Sequence, residues 1–358
     1  MRRASAKNRS RQGDWTAYAE DEDFQERNDA DERFSHTASS LLAKFNRLTR
    51  DIASEDGHHA VVSGFDGTRV QVRDDAGHEY PCDVRRRLKK QLTGVHSPLS
   101  IGDEIRFRFT DQTANEGVIV ALLPRRNQLA RADSHNRALL HVFAANVDRL
   151  VVVASTGIPE LRPALIDRYL LIAHAFGVEP VVVINKRDCG PYQSVADLYR
   201  HLDYPVHCTI AAGDAPDLDG LADSLTGCTC VFAGQSGVGK SSLIKVLAPE
   251  TVIRIGDVSA VQQKGRHTTT AARSYVLPGG ITLIDTPGIR ECGVPIGMDA
   301  LDVALLYRDI AKRHHDCRFP NCSHSHEPDC VVKAAVEAGD IAISRYDSYR
   351  AILAEDLA

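Results

Sequence analysis

The run Gly234-Gln235-Ser236-Gly237-Val238-Gly239-Lys240-Ser241 reads G-x-x-x-x-G-K-[ST], and it directly follows the apolar segment Thr229-Cys230-Val231-Phe232-Ala233. A strand that enters a glycine-rich turn and leaves as a helix can gather backbone N–H groups around phosphate oxygens at the helix N-terminus. Gly234, Gly237 and Gly239 supply the backbone freedom, and Lys240 supplies a point charge for the β- and γ-phosphates. Ser241 offers a hydroxyl to Mg2+, and Gln235, Ser236, Val238 and Ser242 complete the candidate phosphate cradle. The chain must therefore contain a P-loop α/β unit. Motif order constrains it further. Asn185-Lys186-Arg187-Asp188 stands before the phosphate loop, and Asp285-Thr286-Pro287-Gly288 stands after it. In the ordinary arrangement the phosphate loop comes first and N-K-x-D last. Here the order is rotated, so the strands must be joined as a circular permutation.

N-K-x-D follows the apolar run Pro180-Val181-Val182-Val183-Ile184, which reads as a buried parallel strand. Asp188 can accept hydrogen bonds from the guanine N1–H and exocyclic amine, a pattern adenine cannot match. Asn185 is placed at the base edge, the Lys186 stem over the ring, and Arg187 with the same loop. A carboxylate left without its partner disfavours ATP. Asp285 ends another apolar strand, where it can hold Mg2+ through water, and Gly288 can offer its N–H to the γ-phosphate. GTP or GDP with Mg2+ is the ligand these positions fit.

The chain has 358 residues, enough for two or three domains. Residues 1–57 read as a tail, basic at Arg2, Arg3, Lys7, Arg9 and Arg11 and then acidic at Glu20-Asp21-Glu22-Asp23, with disorder expected over 1 to about 37. Residues 58–124 hold short alternating segments with Gly turns, such as Thr68-Arg69-Val70-Gln71-Val72 and Ile105-Arg106-Phe107-Arg108-Phe109. They predict an OB-type β-barrel. Between them lies a basic loop, Arg85-Arg86-Arg87-Leu88-Lys89-Lys90, that suits a phosphate backbone. Residues 125–297 alternate strand and helix as a parallel α/β domain, and 298–358 read as helical around a Cys/His cluster. The net charge of −5 excludes a uniformly nucleic-acid-coating protein without excluding local basic patches. No apolar run approaches the about 18 residues a membrane helix needs, and no apolar segment follows the basic start, so neither a membrane nor secretion is expected.

Nine cysteines in a chain this long do not form a disulfide framework, which points to a reducing cytoplasm. Cys317-x4-Cys322-x-His324-x5-Cys330 offers three thiolates and an imidazole, the donor set of a closed, structural Zn2+ site. His314, His315 and His326 are competing imidazoles, with His326 the nearest rival to His324.

With these residues in place, the chain resembles the ribosome small-subunit-dependent GTPase A family over roughly residues 58–350. Gly265-Arg266-His267-Thr268-Thr269-Thr270 and Asp285-Thr286-Pro287-Gly288-Ile289-Arg290 resemble that family's two switches. The resemblance implies an N-terminal OB barrel, a central circularly permuted GTPase domain and a C-terminal helical zinc domain. It implies GTP hydrolysis coupled to maturation of the small ribosomal subunit and its rRNA, by a cytoplasmic protein expected to be a monomer. Ile289 stands where many GTPases carry a glutamine, and the resemblance gives the water-orienting role to His267. Among Thr268, Thr269 and Thr270, Thr269 is the preferred further Mg2+ ligand beside Ser241 and Asp285. The family spacing favours His324 over His326. A base-supporting segment is implied near Cys208-Thr209-Ile210-Ala211.

Overall fold

The computed structural model describes residues 38–50, 53, 55–91, 98–110, 115–132, 140–249, 273–285 and 298–356. Residues 38–50, within the stretch assigned to the tail, form helix α1 (Ala38–Arg50). Five strands then close a barrel: β1 (His58–Asp66), β2 (Arg69–Asp74), β3 (Glu79–Val84), β4 (Glu104–Phe109) and β5 (Gly117–Leu122). Closure comes from antiparallel β1–β4 and parallel β3–β5 pairing, which leaves none of these strands with a free edge. The period-two pattern places Val62, Val70, Val72, Cys82, Ile105, Phe107 and Ile119 in one core. The basic stretch is helix α2 (Arg86–Gln91), where sequence alone suggested a loop. Leu88 explains the helix: it is 1% exposed and joins the barrel core, while Arg86, Arg87, Lys89 and Lys90 stay in solvent.

A hairpin, β6 (Gln128–Ala132) and β7 (Leu140–Ala145), leads into the α/β domain. There β8 (Arg149–Ser155), α3 (Pro163–Ala175), β9 (Glu179–Asn185), α4 (Gln193–His201), β10 (Val206–Thr209), α5 (Leu221–Leu225), β11 (Thr229–Ala233) and α6 (Lys240–Leu247) follow in turn. Strands β12 (Arg273–Leu277) and β13 (Ile281–Asp285) complete it. The order is β10-β9-β8-β11-β13-β12, parallel except for β12. Val152, Val182 and Ile184 pack on one face with Ile166, Leu170 and Tyr199 of α3 and α4. Val151, Val153 and Val183 pack on the other with Leu221, Leu243 and Leu247 of α5 and α6. Both faces are covered, which is why these strands are apolar throughout.

The barrel is hydrogen-bonded to this sheet through β1 and β12, with Gly64 opposite Arg273, so one sheet of eleven strands runs through both domains. Arg125 pins the joint from the other side. Its guanidinium is buried, donates to both Asp103 oxygens at 2.7 and 2.8 Å and to Gln128 Oε1 at 3.0 Å, and lies 3.7 Å over the Phe45 ring of α1. Asn46 adds two bonds to the Arg125 backbone. These contacts are what order α1.

The C-terminal domain has α7 (Ala300–Leu306), α8 (Arg308–His314), α9 (Val331–Glu337) and α10 (Ile343–Asp356). Asp299 and Asp302 form a reciprocal capping box at the start of α7. The domain docks on α3 through a buried ion-pair cluster. Arg345 of α10, 1% exposed, donates to Asp167 of α3 at 2.5 Å and to the two oxygens of Asp309 of α8 at 3.1 and 2.8 Å. Its guanidinium also sits 4.4 Å over the Tyr307 ring, and Tyr199 donates to Asp167 at 2.7 Å. Arg345→Ala would leave two carboxylates buried without a counter-charge, at a cost of about 3–5 kcal/mol. Urea unfolding should show this loss, and an unchanged midpoint would mean the cluster does not hold the domains together.

Candidate functional site

The sheet changes direction between β8 and β11. β9 and β10 lie on one side of that point and β13 on the other, so the carboxyl ends of β8, β9, β11 and β13 face one crevice. Crevices of this kind are where open α/β sheets bind ligands. All described residues of the predicted phosphate loop, N-K-x-D and Asp285 lie at these strand ends or in the loop and first helical turn that follow them.

The phosphate loop needs glycine at two positions for steric reasons. Gly234 has φ 140°, and a Cβ there would lie 2.1 Å from the Val153 carbonyl oxygen. Gly239 has φ 97°, and its Cβ would lie 2.2 Å from Asn185 Nδ2. Gly239 is also the residue from which α6 starts. Gln235, Ser236 and Gly237 are exposed, whereas the Val238 side chain is buried in the core beneath the loop. Lys240 Nζ reaches back over the loop to the carbonyls of Gly234 and Gln235, at 2.7 and 2.8 Å. Ser241 and Ser242 occupy the first turn of α6, and half-buried Asp285 ends β13.

The N-K-x-D residues tie neighbouring loops together. Asn185 is 2% exposed and engages three protein groups: it donates to Val238 O at 2.9 Å and accepts from Thr209 Oγ1 at 3.0 Å and from the Ala211 N–H at 3.2 Å. Lys186, at φ 57°, donates to Ile158 O at 2.6 Å and Gly237 O at 2.7 Å, which ties the loop after β8 to the phosphate loop. Thr156 Oγ1 donates to Lys186 O. The Arg187 guanidinium donates to Cys208 O and pairs with the Asp217 carboxylate. Asp188 is exposed at the rim. The segment Cys208–Ala211 therefore stands beside N-K-x-D, with Thr209 fully buried against Asn185. Thr156, Ile158 and Asp217 were not singled out from sequence. No local pattern marks them, since each acts through a partner far along the chain. The switch positions His267, Thr268, Thr269, Thr270, Gly288 and Ile289 lie outside the described residues.

The second site is in the C-terminal domain. The ligand atoms of Cys317, Cys322, His324 and Cys330 all lie within 4.8 Å of one another. His324 Nδ1 is 3.6 Å from Cys317 Sγ and 3.3 Å from Cys330 Sγ, and those two sulfurs are 4.0 Å apart. Metal–ligand bonds of about 2.0–2.3 Å in a tetrahedron put ligand atoms about 3.3–3.8 Å apart, so the donor set suits zinc. Burial, then the neighbouring His314, lower the His324 pKa to about 4, which keeps the ring neutral and able to ligate. Burial first, with the adjoining thiols, pushes Cys322 up to about 12, a cost that a bound cation offsets. His326 is exposed and points to Ser325 Oγ. Glu327, unmentioned by any motif, organises the loop by accepting from Ser323 N and Oγ, Ser325 N and His326 N. Burial opposes its charge, but these bonds prevail and hold it down at about 2.

Residues 122–295 match the RsgA GTPase family. The small ribosomal subunit biogenesis GTPase RsgA of Pseudomonas aeruginosa (strain UCBPP-PA14) is 38% identical over 332 residues, spanning 90% of this chain and 93% of that protein. The chain belongs to the RsgA GTPase family. Another member, from Haemophilus influenzae (strain 86-028NP), is 37% identical over 311 residues, covering 85% of this chain and 86% of its own. Among solved structures, YjeQ from Thermotoga maritima superposes with TM-score 0.66 at 28% identity, over 84% of this chain and 99% of that one. YloQ, described as a circularly permuted GTPase, gives TM-score 0.63 at 25% identity, over 84% and 95%.

In this RsgA-family chain the Gly239–Asn185 contact admits no extra carbon. Gly239→Ala should weaken nucleotide binding about tenfold or more, because both the positive φ and the Asn185 amide must yield. A fluorescent GDP analogue titrated into the variant reads this directly. Affinity close to wild type would show that the loop does not need this close approach.

Proposed function

We propose that the chain hydrolyses GTP, binds the small ribosomal subunit and assists its late maturation, with turnover stimulated by the particle. The observation that carries this reading is the rotated motif set gathered at one crevice, in a chain whose relatives are named small ribosomal subunit biogenesis GTPases. The proposed units are the tail (1–57), barrel (58–124), GTPase domain (125–297) and zinc domain (298–358). A barrel carrying a basic helix and a zinc domain on either side of the GTPase domain is an arrangement suited to a nucleic-acid particle. No helix among the described residues is long and apolar enough to cross a membrane. We read the protein as a cytoplasmic monomer.

The roles follow from the chemistry of phosphoryl transfer, in which charge develops on the transferred group and leaving oxygen. The exposed N–H groups of the phosphate loop and the Lys240 ammonium stabilise that charge. Ser241, Asp285 and Thr269 would hold Mg2+, which supplies further charge neutralisation on the phosphates. Asp188 selects guanine from the rim, and His267 orients the attacking water. Cys317, Cys322, His324 and Cys330 hold one structural Zn2+.

Measuring GTP turnover with and without purified small subunits tests the whole reading, with a marked rise expected. A rate indifferent to the particle would leave a GTPase with another partner. Asp188→Asn should lower GTP affinity by roughly 1.5–3 kcal/mol and shift preference toward xanthine nucleotides. Unchanged GTP affinity would remove Asp188 from the base site. His267→Ala should lose hydrolysis while keeping nucleotide affinity near normal. A variant that hydrolyses normally would end that role for His267.

A further inference from the structure

Beneath the Cys/His cluster lies a second buried histidine that no motif includes. His314 ends α8 and is 4% exposed. Its two ring nitrogens have different partners: Nε2 is 3.1 Å from Pro320 O, and Nδ1 is 2.9 Å from His324 Nε2. A carbonyl oxygen only accepts, so His314 Nε2 carries the hydrogen. With its one ring hydrogen on Nε2, His314 presents a bare Nδ1, and the hydrogen of the next bond must come from His324 Nε2. A neutral His324 with its proton on Nε2 has its lone pair on Nδ1. That nitrogen is the one facing Cys317 Sγ at 3.6 Å and Cys330 Sγ at 3.3 Å.

We propose that His314 is a positioning residue for the metal centre: anchored on the Pro320 carbonyl, it fixes the tautomer and ring orientation of His324 so that Nδ1 is the metal-binding nitrogen. This rests on the zinc reading of the cluster and deepens it. A ligating histidine held by its other nitrogen loses no rotational freedom on binding and cannot present the wrong atom. The usual holder of a ligating histidine is a carboxylate or a carbonyl. Here the carbonyl acts one ring further away, through His314. The relay also spans the knuckle, because Pro320 lies between Cys317 and Cys322 while His314 comes from the preceding helix. His315 and His326, the other imidazoles nearby, are exposed.

The test uses the full-length, zinc-loaded protein and chelator competition. His314→Leu keeps bulk but removes both bonds, and it should weaken zinc retention about 10–100-fold. His314→Gln can accept from His324 Nε2 and donate to Pro320 O, so it should recover most of that loss. Long-range proton–nitrogen correlation on histidine-labelled protein should show His324 bound through Nδ1 with its hydrogen on Nε2 in the wild type. A packing role alone would not set that signature or distinguish Gln from Leu. Binding of a fluorescent GDP analogue, expected to be unchanged, monitors the fold. The inference is overturned if His314→Leu holds zinc as tightly as wild type, if Gln fares no better than Leu, or if His324 ligates through Nε2. A wild-type protein that carries no zinc when freshly purified would overturn the zinc reading itself. Zinc lost in Cys317→Ser but kept in His314→Leu would overturn only the relay.

Discussion

The crevice is organised around the place where a side chain is missing. The Asn185 amide passes so close to Gly239 that a Cβ there would sit 2.2 Å from its nitrogen. That proximity lets a single buried amide bond the phosphate loop through Val238 O and the β10 end through Thr209 and Ala211. A buried amide with its partners in place is stable, and one with a partner removed is costly. Three loops from separate strands are therefore held in one geometry by a group that, read by motif alone, serves only the base. Lys186 repeats the design at the rim, with one ammonium shared by Ile158 O and Gly237 O.

Permutation leaves the strand neighbours of a P-loop domain intact and changes which ends are free. The barrel joins the sheet edge at β12 through β1, and the chain leaving β13 continues into the C-terminal helices. The C-terminal domain is attached to the same α3 that follows the Ile158 loop. Arg345 grips Asp167 on α3, while its neighbours on α10, Tyr346 and Tyr349, donate to the carbonyls of His324 and Ser323 at 2.6 and 2.8 Å. One helix thus holds both the GTPase domain and the metal loop. A movement of α3 relative to the sheet would carry the Cys/His loop with it, because breaking the buried ion pairs is costly.

Much of this was legible in the sequence because the informative signals are local. A strand–glycine–helix transition, a carboxylate ending an apolar run, and three cysteines and a histidine in one short stretch each carry their chemistry in consecutive residues. The barrel was legible from alternation at Val70, Val72, Ile105 and Phe107, all of which point into one core. The basic stretch was misjudged as a loop because a single Leu88 among five cations shows no periodicity until the barrel end beneath it is known. Helix α1 was absorbed into the tail for a similar reason: its anchor, Arg125, lies in another part of the chain and is itself fixed by Asp103. Thr156, Ile158 and Asp217 were beyond reach because each matters only through a partner brought to it by the fold.

The metal domain shows why a local cluster and a tertiary network are both required. Its core holds Val303, Ile310, Val332, Tyr349 and Ile352, and it recruits Leu171 from α3. A unit this small is held only marginally by its own core. Cys322 and Cys330 sit within that core, so the same residues contribute apolar contact and ligand atoms. Thiols raised by burial are poor anions by themselves. A cation at their centre would convert that electrostatic cost into a constraint that closes the loop between α8 and α9. Glu327 and Tyr346 then fix the loop backbone from outside, and His314 fixes the imidazole from beneath. The four-residue cluster is held by groups outside it, so its geometry is a property of the folded domain as well as of the four residues themselves.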